Sequence, residues 1–263
     1  MMGILNITPD SFSDGGRFSA LDSALLQAEK MTADGAAIID VGGESTRPGA
    51  AEVSEDEELD RIIPVIEALR ANLDTAISVD TSKPGVIREV AAAGVDMIND
   101  VQALRAEGAL QAAVETRLPV CLMHMQGKPR TMQQQPRYED VTAEVVQFLA
   151  DRISACVEAG MDEKLIVIDP GFGFGKTHRH NIELLANLRQ LTTLGRPLLA
   201  GLSRKSTLGE LTGKPVDERV PASVAAAVIA VMNGADIVRV HDVAATVDAM
   251  RIARAVQDSG KGR

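Results

Sequence analysis

The sequence predicts a single α/β domain, a (β/α)₈ TIM barrel, on three observations. Short apolar runs, often β-branched, alternate strictly with longer amphipathic segments. There are eight of each. The chain has 263 residues, close to the length that eight such units occupy. A closed barrel fits that count better than an open doubly wound sheet.

The first unit pairs a strand at 3–7 with a helix at 19–34, which Gly35 stops. The second pairs 37–41 with 54–71, where Ser54 stands before the acidic turn Glu55-Asp56-Glu57-Glu58 as an N-cap signal. The third joins 76–79 to 84–93, closed by Gly94, and the fourth joins 97–99 to 105–116. The fifth runs 119–122 into 139–159, closed by Gly160, and the sixth runs 165–168 into 178–193. The seventh combines 198–201 with 218–233, closed by Gly234, and the eighth 237–240 with 242–257. The strands are mostly apolar, as expected when both faces are covered. No linker, short repeat or low-complexity tract interrupts them, so residues 1–263 read as one domain.

Composition bounds the function. Hydrophobic residues make up 45% of the chain, which excludes wholesale disorder. With no Trp and one Tyr, the core must come from Ala, Val, Ile, Leu and Met. A net charge of −10 argues against a general nucleic-acid or anionic-membrane binder, though a basic pocket can sit in an acidic body. Cys121 and Cys156 lack Cys-x-x-Cys spacing and read as reduced packing residues. The start lacks a charged n-region, and the longest nearly apolar stretch, 222–232, is too short to span a bilayer. The expectation is a soluble, cytoplasmic protein.

Polar residues collect at and just after the strand ends: Asn6, Glu44-Ser45-Thr46-Arg47, Asp80, Asn99-Asp100, His124, Asp169, Ser203-Arg204-Lys205 and Arg239-Val240-His241-Asp242. In a parallel barrel these ends open on one face, so residues distant in sequence converge. Ordinary polar loops explain the Ser, Gly and Asp content, but hardly so many separate strand ends carrying a hydrogen-bonding or ionisable group. Two motifs are decoys. Gly171-Phe172-Gly173-Phe174-Gly175-Lys176-Thr177 has Pro170 where a phosphate loop needs its first Gly. Gly201-Leu202-Ser203-Arg204-Lys205 lacks the closing Gly of a nucleophile elbow. His178-Arg179-His180 reads as solvated helix surface, and no multi-His or Cys metal site is visible.

The run Met2-Gly3-Ile4-Leu5-Asn6-Ile7-Thr8-Pro9-Asp10-Ser11-Phe12-Ser13-Asp14-Gly15-Gly16 closely resembles the opening signature of the dihydropteroate synthases. So do Ile39-Asp40-Val41-Gly42-Gly43-Glu44-Ser45-Thr46-Arg47-Pro48-Gly49, Ser78-Val79-Asp80-Thr81 and Ile98-Asn99-Asp100. Ile168-Asp169-Pro170-Gly171-Phe172-Gly173-Phe174, Gly201-Leu202-Ser203-Arg204-Lys205-Ser206 and Arg239-Val240-His241-Asp242 complete the family's order along the chain. The resemblance implies a barrel that joins 6-hydroxymethyl-7,8-dihydropterin pyrophosphate to p-aminobenzoate, releasing pyrophosphate and 7,8-dihydropteroate. Family members usually carry extra residues before the first strand, often a hairpin across the barrel bottom. This chain starts almost at the strand, so the expected barrel lacks that hairpin.

By the same resemblance, Asp169 takes the 2-amino/N3 edge of the pterin, Asp80 and Asn99 the other ring nitrogens, and Lys205 the O4/N5 side. Met123 and Phe174 are apolar neighbours, and Asp40 supports the polar floor. Arg239 and His241 lie two apart on one strand and share a face; they grip the pyrophosphate, with Thr46 at the diphosphate and Asn6 at a Mg²⁺. Phe12, Ser45, Arg47 and Pro48 close over p-aminobenzoate, whose carboxylate end meets Ser203 and Lys205, and sulfonamides would compete there. Lys205, Arg239, His241 and Asp80 stand nearest the chemistry. A homodimer through outer helices is also implied. The alternatives are a methyltetrahydrofolate-binding methyltransferase of the same pterin-binding kind, a Schiff-base aldolase built on Lys205, and a non-catalytic pterin-binding paralogue. Arg239-Val240-His241 and the lid residues favour the synthase.

Overall fold

A computed structural model describes residues 1–7, 16–45, 53–127 and 131–260. Among the described residues there are eight parallel strands: β1 (Met2–Asn6), β2 (Ile38–Gly42), β3 (Ala76–Asp80), β4 (Met97–Asp100), β5 (Val120–Met123), β6 (Ile166–Asp169), β7 (Leu199–Ala200) and β8 (Ile237–Val240). They neighbour one another in the order β6-β5-β4-β3-β2-β1-β8-β7. The two ends meet through a single bridge between Ile168 and Leu198, where the Ile168 N–H donates to the Pro197 carbonyl at 2.9 Å. The sheet is therefore the expected (β/α)₈ barrel, nearly closed, with a thin seam between β6 and β7.

The helices among the described residues are α1 (Gly16–Ala33), α2 (Glu55–Asn72), α3 (Pro84–Ala92), α4 (Ala109–Thr116) and α5 (Val141–Glu158). They continue as α6 (His178–Ala186), α7 (Ser206–Thr212), α8 (Val220–Met232) and α9 (Val243–Gly260). Ser54 caps α2 as its sequence predicts, accepting from the Glu57 N–H. None of these helices is long and apolar enough to cross a membrane.

Three elements differ from expectation. The fourth helix starts at Ala109 rather than 105, because the buried Asp100 carboxylate takes the Gln102 and Leu104 N–H groups, both at 2.7 Å. Ala103 and Leu104 are thereby held at φ 54° and 55°, outside helical space. The sixth helix ends at Ala186 and a 3₁₀ turn, Leu188–Leu194, replaces its second half. There the Asn187 side chain turns back onto the Glu183 carbonyl at 2.9 Å, competing with continued helix. The seventh unit holds an additional helix, α7, which ends in the left-handed turn at Gly213.

Alternation along the strands sorts the core into two compartments. Leu5, Ile39, Val41, Ile77, Val79, Ile98, Val120, Leu122, Ile166 and Ile168 face the helices and form the main core. Met2, Met97, Cys121, Val167 and Leu199 form a separate small cluster, with Ile38 and Ile237 against it. These belong to the opposite phase and plug the barrel's lower interior. Two residues further along the same strands, the inward positions become Ile4, Asp40, Asn99, Met123, Asp169, Gly201 and Arg239. The upper layer of the barrel interior is thus mostly polar.

Candidate active site

Asp40, fully buried, anchors the floor. Its Oδ2 accepts from Arg239 Nε at 2.6 Å and from Asn99 Nδ2 at 3.2 Å. Arg239 Nη2 also donates to Asp80 Oδ2 at 3.2 Å, so one guanidinium spans β8, β2 and β3. Burial works against the Arg239 charge, but Asp40 and Asp80 outweigh it and hold the guanidinium above its usual value. Burial pushes the Asp80 carboxyl above the ordinary range despite Arg239, with Asp40 adding to the rise. Asn6, at the top of β1, places its Oδ1 above Gly42, 3.6 Å from where a Cβ there would lie; Asp80 borders the same space.

Across the barrel, Asp169 Oδ1 accepts the Gly171 N–H at 2.7 Å. Burial raises this carboxyl, while Lys205 pulls it down. Lys205 donates to the Phe172 carbonyl and lies 4.8 Å from the centre of the Phe174 ring, within cation–π range. Burial lowers the Lys205 ammonium to about 8 against the pull of Asp169. Met123 packs with Val101, Met125 and Met132, and Phe174 lies against this group. An apolar wall therefore adjoins a row of donors and acceptors.

The ends of β7 and β8 are tied together. Ser203 Oγ and His241 Nδ1 are 3.0 Å apart, and the His241 N–H donates to the same hydroxyl at 3.2 Å. Arg204 forms a two-pronged pair with Asp242, at 2.9 and 2.6 Å. Arg204 sits at φ 57°, a strained backbone for a residue with a side chain. Ser223 Oγ accepts its N–H at 2.9 Å and Arg219 Nη1 donates to its carbonyl at 3.0 Å. Between those clamps, Ser203 and Lys205 are presented from either side of a fixed residue.

Asn6, Asp80, Asn99, Met123, Asp169, Phe174, Ser203, Lys205, Arg239 and His241 all lie at or beside the C-terminal strand ends. Ser45 lies half-buried just beyond β2. Phe12, Thr46, Arg47 and Pro48 lie outside the described residues. Asp100, one of the strand-end acids, serves the β4–α4 turn instead, accepting from Ser82 and two backbone N–H groups. His180 is less solvated than its motif suggests: its ring stands edge-on to Tyr138 at 5.0 Å. Sequence reasoning missed Lys176, which is buried beneath the β6–α6 turn; the discarded phosphate-loop likeness was its only signal. Among the described residues, no group of three or more His, Cys, Asp or Glu could hold a metal ion.

The pterin binding enzyme family model matches residues 2–241. The dihydropteroate synthase of Haemophilus influenzae is 55% identical over 259 residues, covering 98% of this chain and 94% of the relative. The chain belongs to the dihydropteroate synthase family. Its fold agrees with solved members: the Yersinia pestis enzyme with a sulfonamide drug complex superposes with a TM-score of 0.93 at 56% identity, covering 98% of this chain and 94% of that one. The Xanthomonas albilineans enzyme with 4-aminobenzoic acid gives 0.92 at 54%, covering 97% and 92%. Likeness over nearly the whole chain favours the synthase over the methyltransferase, the aldolase and the non-catalytic paralogue.

Proposed function

We infer that the polar layer at the top of the barrel condenses 6-hydroxymethyl-7,8-dihydropterin pyrophosphate with p-aminobenzoate, giving 7,8-dihydropteroate and pyrophosphate. The observation that carries this reading is the two-sided interior. Asp169 and Lys205 stand beside the apolar Met123–Phe174 wall, and Arg239 lies opposite between Asp40 and Asp80. A planar heterocycle with an edge of N–H donors suits the first side. Asp169 meets its 2-amino/N3 edge, Asn99 and Asp80 its other nitrogens, and Lys205 its O4/N5 side.

The diphosphate then points toward the ends of β7 and β8, where Arg239, His241 and Ser203 provide donors. The bond between the pterin methylene and the diphosphate oxygen breaks, and its electron pair leaves with the pyrophosphate. The neutral arylamine attacks the same carbon and loses one proton, so the reaction asks mainly for positioning and for electrostatic relief of the leaving group. A Mg²⁺ suits this donor set: Asn6 Oδ1 is one hard oxygen ligand, standing over Gly42 with Asp80 beside it, and substrate phosphate and water would complete the shell. Bound there, the ion would offset charge on the leaving diphosphate.

Sulfonamides fit as competitors of p-aminobenzoate, a reading supported by the drug-bound Yersinia pestis relative. A homodimer is supported by exposed apolar side chains on neighbouring helices, Ile229 and Met232 on α8 with Ile252 and Val256 on α9; light scattering checks the mass. A cytoplasmic setting accords with two free, buried cysteines, Cys121 and Cys156. The deciding experiment mixes protein, dihydropterin pyrophosphate, p-aminobenzoate and Mg²⁺. Dihydropteroate and pyrophosphate appearing in equal amounts is the expected result, and neither forming would overturn the reading.

A further inference from the structure

The Gly171-Phe172-Gly173-Phe174-Gly175-Lys176-Thr177 run contains a lysine that the reaction leaves without a task. A phosphate-loop lysine reaches outward to its ligand, whereas Lys176 is only 2% exposed and turns inward. Its ammonium donates to His124 Nδ1 at 2.8 Å, the Gly171 carbonyl at 2.9 Å and the Phe174 carbonyl at 3.2 Å. Three acceptors match the three N–H groups of a lysine. Burial nevertheless drives the ammonium well below its usual value, against the pull of Asp169.

His124 is built for the acceptor role. Burial, with Lys176 beside it, lowers the ring to about 2, so the imidazole is neutral. Its edge-on contact with Phe148, centroids 4.8 Å apart, holds the plane, and acceptance at Nδ1 assigns the ring proton to Nε2. The two carbonyls that Lys176 grips bracket the turn. Between them the Phe172 carbonyl accepts from Lys205, and at one end the Gly171 N–H donates to Asp169. Gly173 N–H donates to Asn181 Oδ1 at 2.8 Å and Tyr138 Oη donates to the Gly175 carbonyl at 2.7 Å, so the outer side of the turn is tethered too.

We propose that Lys176 is a positioning residue for pterin recognition, holding the 171–175 turn against His124 so that Asp169, Phe174 and Lys205 face the heterocycle in register. The proposal rests on the pterin assignment of Asp169 and Lys205. Lys176 also adds a cation facing Asp169, alongside Lys205 from the β7–α7 turn and Arg239 from β8; the Cys121 thiol faces Asp169 from β5.

The test is Lys176→Met in the full chain, with 6-hydroxymethyl-7,8-dihydropterin pyrophosphate and Mg²⁺ titrated calorimetrically across pH. Affinity is expected to fall by roughly 30-fold or more, while the KM for p-aminobenzoate at saturating pterin changes less than about threefold. Because Asp169 loses a facing cation, the acid limb of pterin affinity is expected to move to higher pH, which a purely stabilising role would leave in place. Lys176→Gln keeps two N–H donors without the charge and is expected to recover part of the affinity, not the acid limb. Affinity within about threefold of the parent and an unmoved acid limb in Lys176→Met would overturn the proposal. If that variant does not fold, His124→Phe keeps a ring against Phe148 while removing the acceptor. A loss of roughly three- to tenfold in pterin affinity is then expected, and parental affinity overturns the proposal. Failure of the parent chain itself to bind the pterin would instead remove the site assignment beneath it.

Discussion

At the scale of single residues, Asp169 offers the sharpest test of the pterin pocket. Asn at this position keeps the shape but turns an acceptor into a donor that faces another donor. Losing a charge-assisted bond and leaving an N–H unpaired costs on the order of 2–4 kcal/mol. At that cost, Asp169→Asn is expected to weaken pterin binding by roughly 30- to 700-fold, measured by calorimetry. Arg239 tests the anion side. Arg239→Ala is expected to weaken dihydropterin pyrophosphate by at least tenfold more than the bare hydroxymethylpterin. Equal losses would mean that Arg239 chiefly braces Asp40 and Asp80, the two carboxylates it holds. Lys205 carries the alkaline side of the pH dependence. Its folded value, about 8, lies below the ordinary 10.5, so the unfolded chain binds more protons between those values. Burying this lysine therefore costs stability at neutral pH, and the cost disappears as pH rises through that window. Lys205→Met is expected to raise the melting temperature at pH 7 and to lose that advantage near pH 10.5. In the parent, kcat/KM for the pterin is expected to fall on an alkaline limb near pH 8, where the free enzyme loses its donor charge.

At the scale of elements, the β6–α6 turn and the β7–α7 turn carry the site, and their constraints can be separated. Gly171 has φ +67°, and a Cβ there would lie 1.9 Å from the His124 carbonyl oxygen, a backbone atom that cannot swing aside. Gly160 has φ +99°, with nothing within 4 Å of the place a Cβ would take. Gly160→Ala is expected to cost about 1–2 kcal/mol, the backbone penalty alone, and Gly171→Ala clearly more, in chemical denaturation. Strands and helices were legible in the sequence because apolar runs and Gly stops report burial and chain reversal directly. The irregular pieces were not. Asp100 seizing two backbone N–H groups, or Asn187 folding onto Glu183, depends on one side chain winning a local competition with the helix, which no periodicity records. The same holds for Arg204. Its adjacency to Lys205 in sequence says nothing of Asp242, 38 residues away, which receives its guanidinium.

At the scale of the whole molecule, the barrel interior is apolar below and largely polar above, and the free protein bears the cost of that upper layer. Asp40 Oδ1 and Ser78 Oγ, on residues that face each other across β2 and β3, are buried without a hydrogen-bond partner. A ligand that engages this layer adds its binding energy to folding. At 100 times its Kd, the pterin substrate is expected to stabilise the protein by about 2.7 kcal/mol, visible as a rise of roughly 5–10 °C in melting. The convergence of Asp80, Asn99, Asp169 and Arg239 was legible because strand parity and a parallel barrel dictate it once the strands are placed, whereas Lys205 arrives from the β7–α7 turn. Which of them pair with each other was not, since Arg239 reaches Asp40 across 199 positions of sequence.

The thin seam between β6 and β7 gives that ligand a second part to play. Every other neighbouring pair of staves shares a ladder, whereas this pair shares one bridge, and β7 is only two residues long. Asp169 ends the stave on one side of the gap, and Lys205 follows the stave on the other. A heterocycle gripped by both is a rivet across the hoop. Amide hydrogen exchange at Leu199 and Ala200 is expected to slow on pterin binding more than at the laddered strands, and Lys205→Met is expected to abolish that difference while Phe174→Leu keeps it.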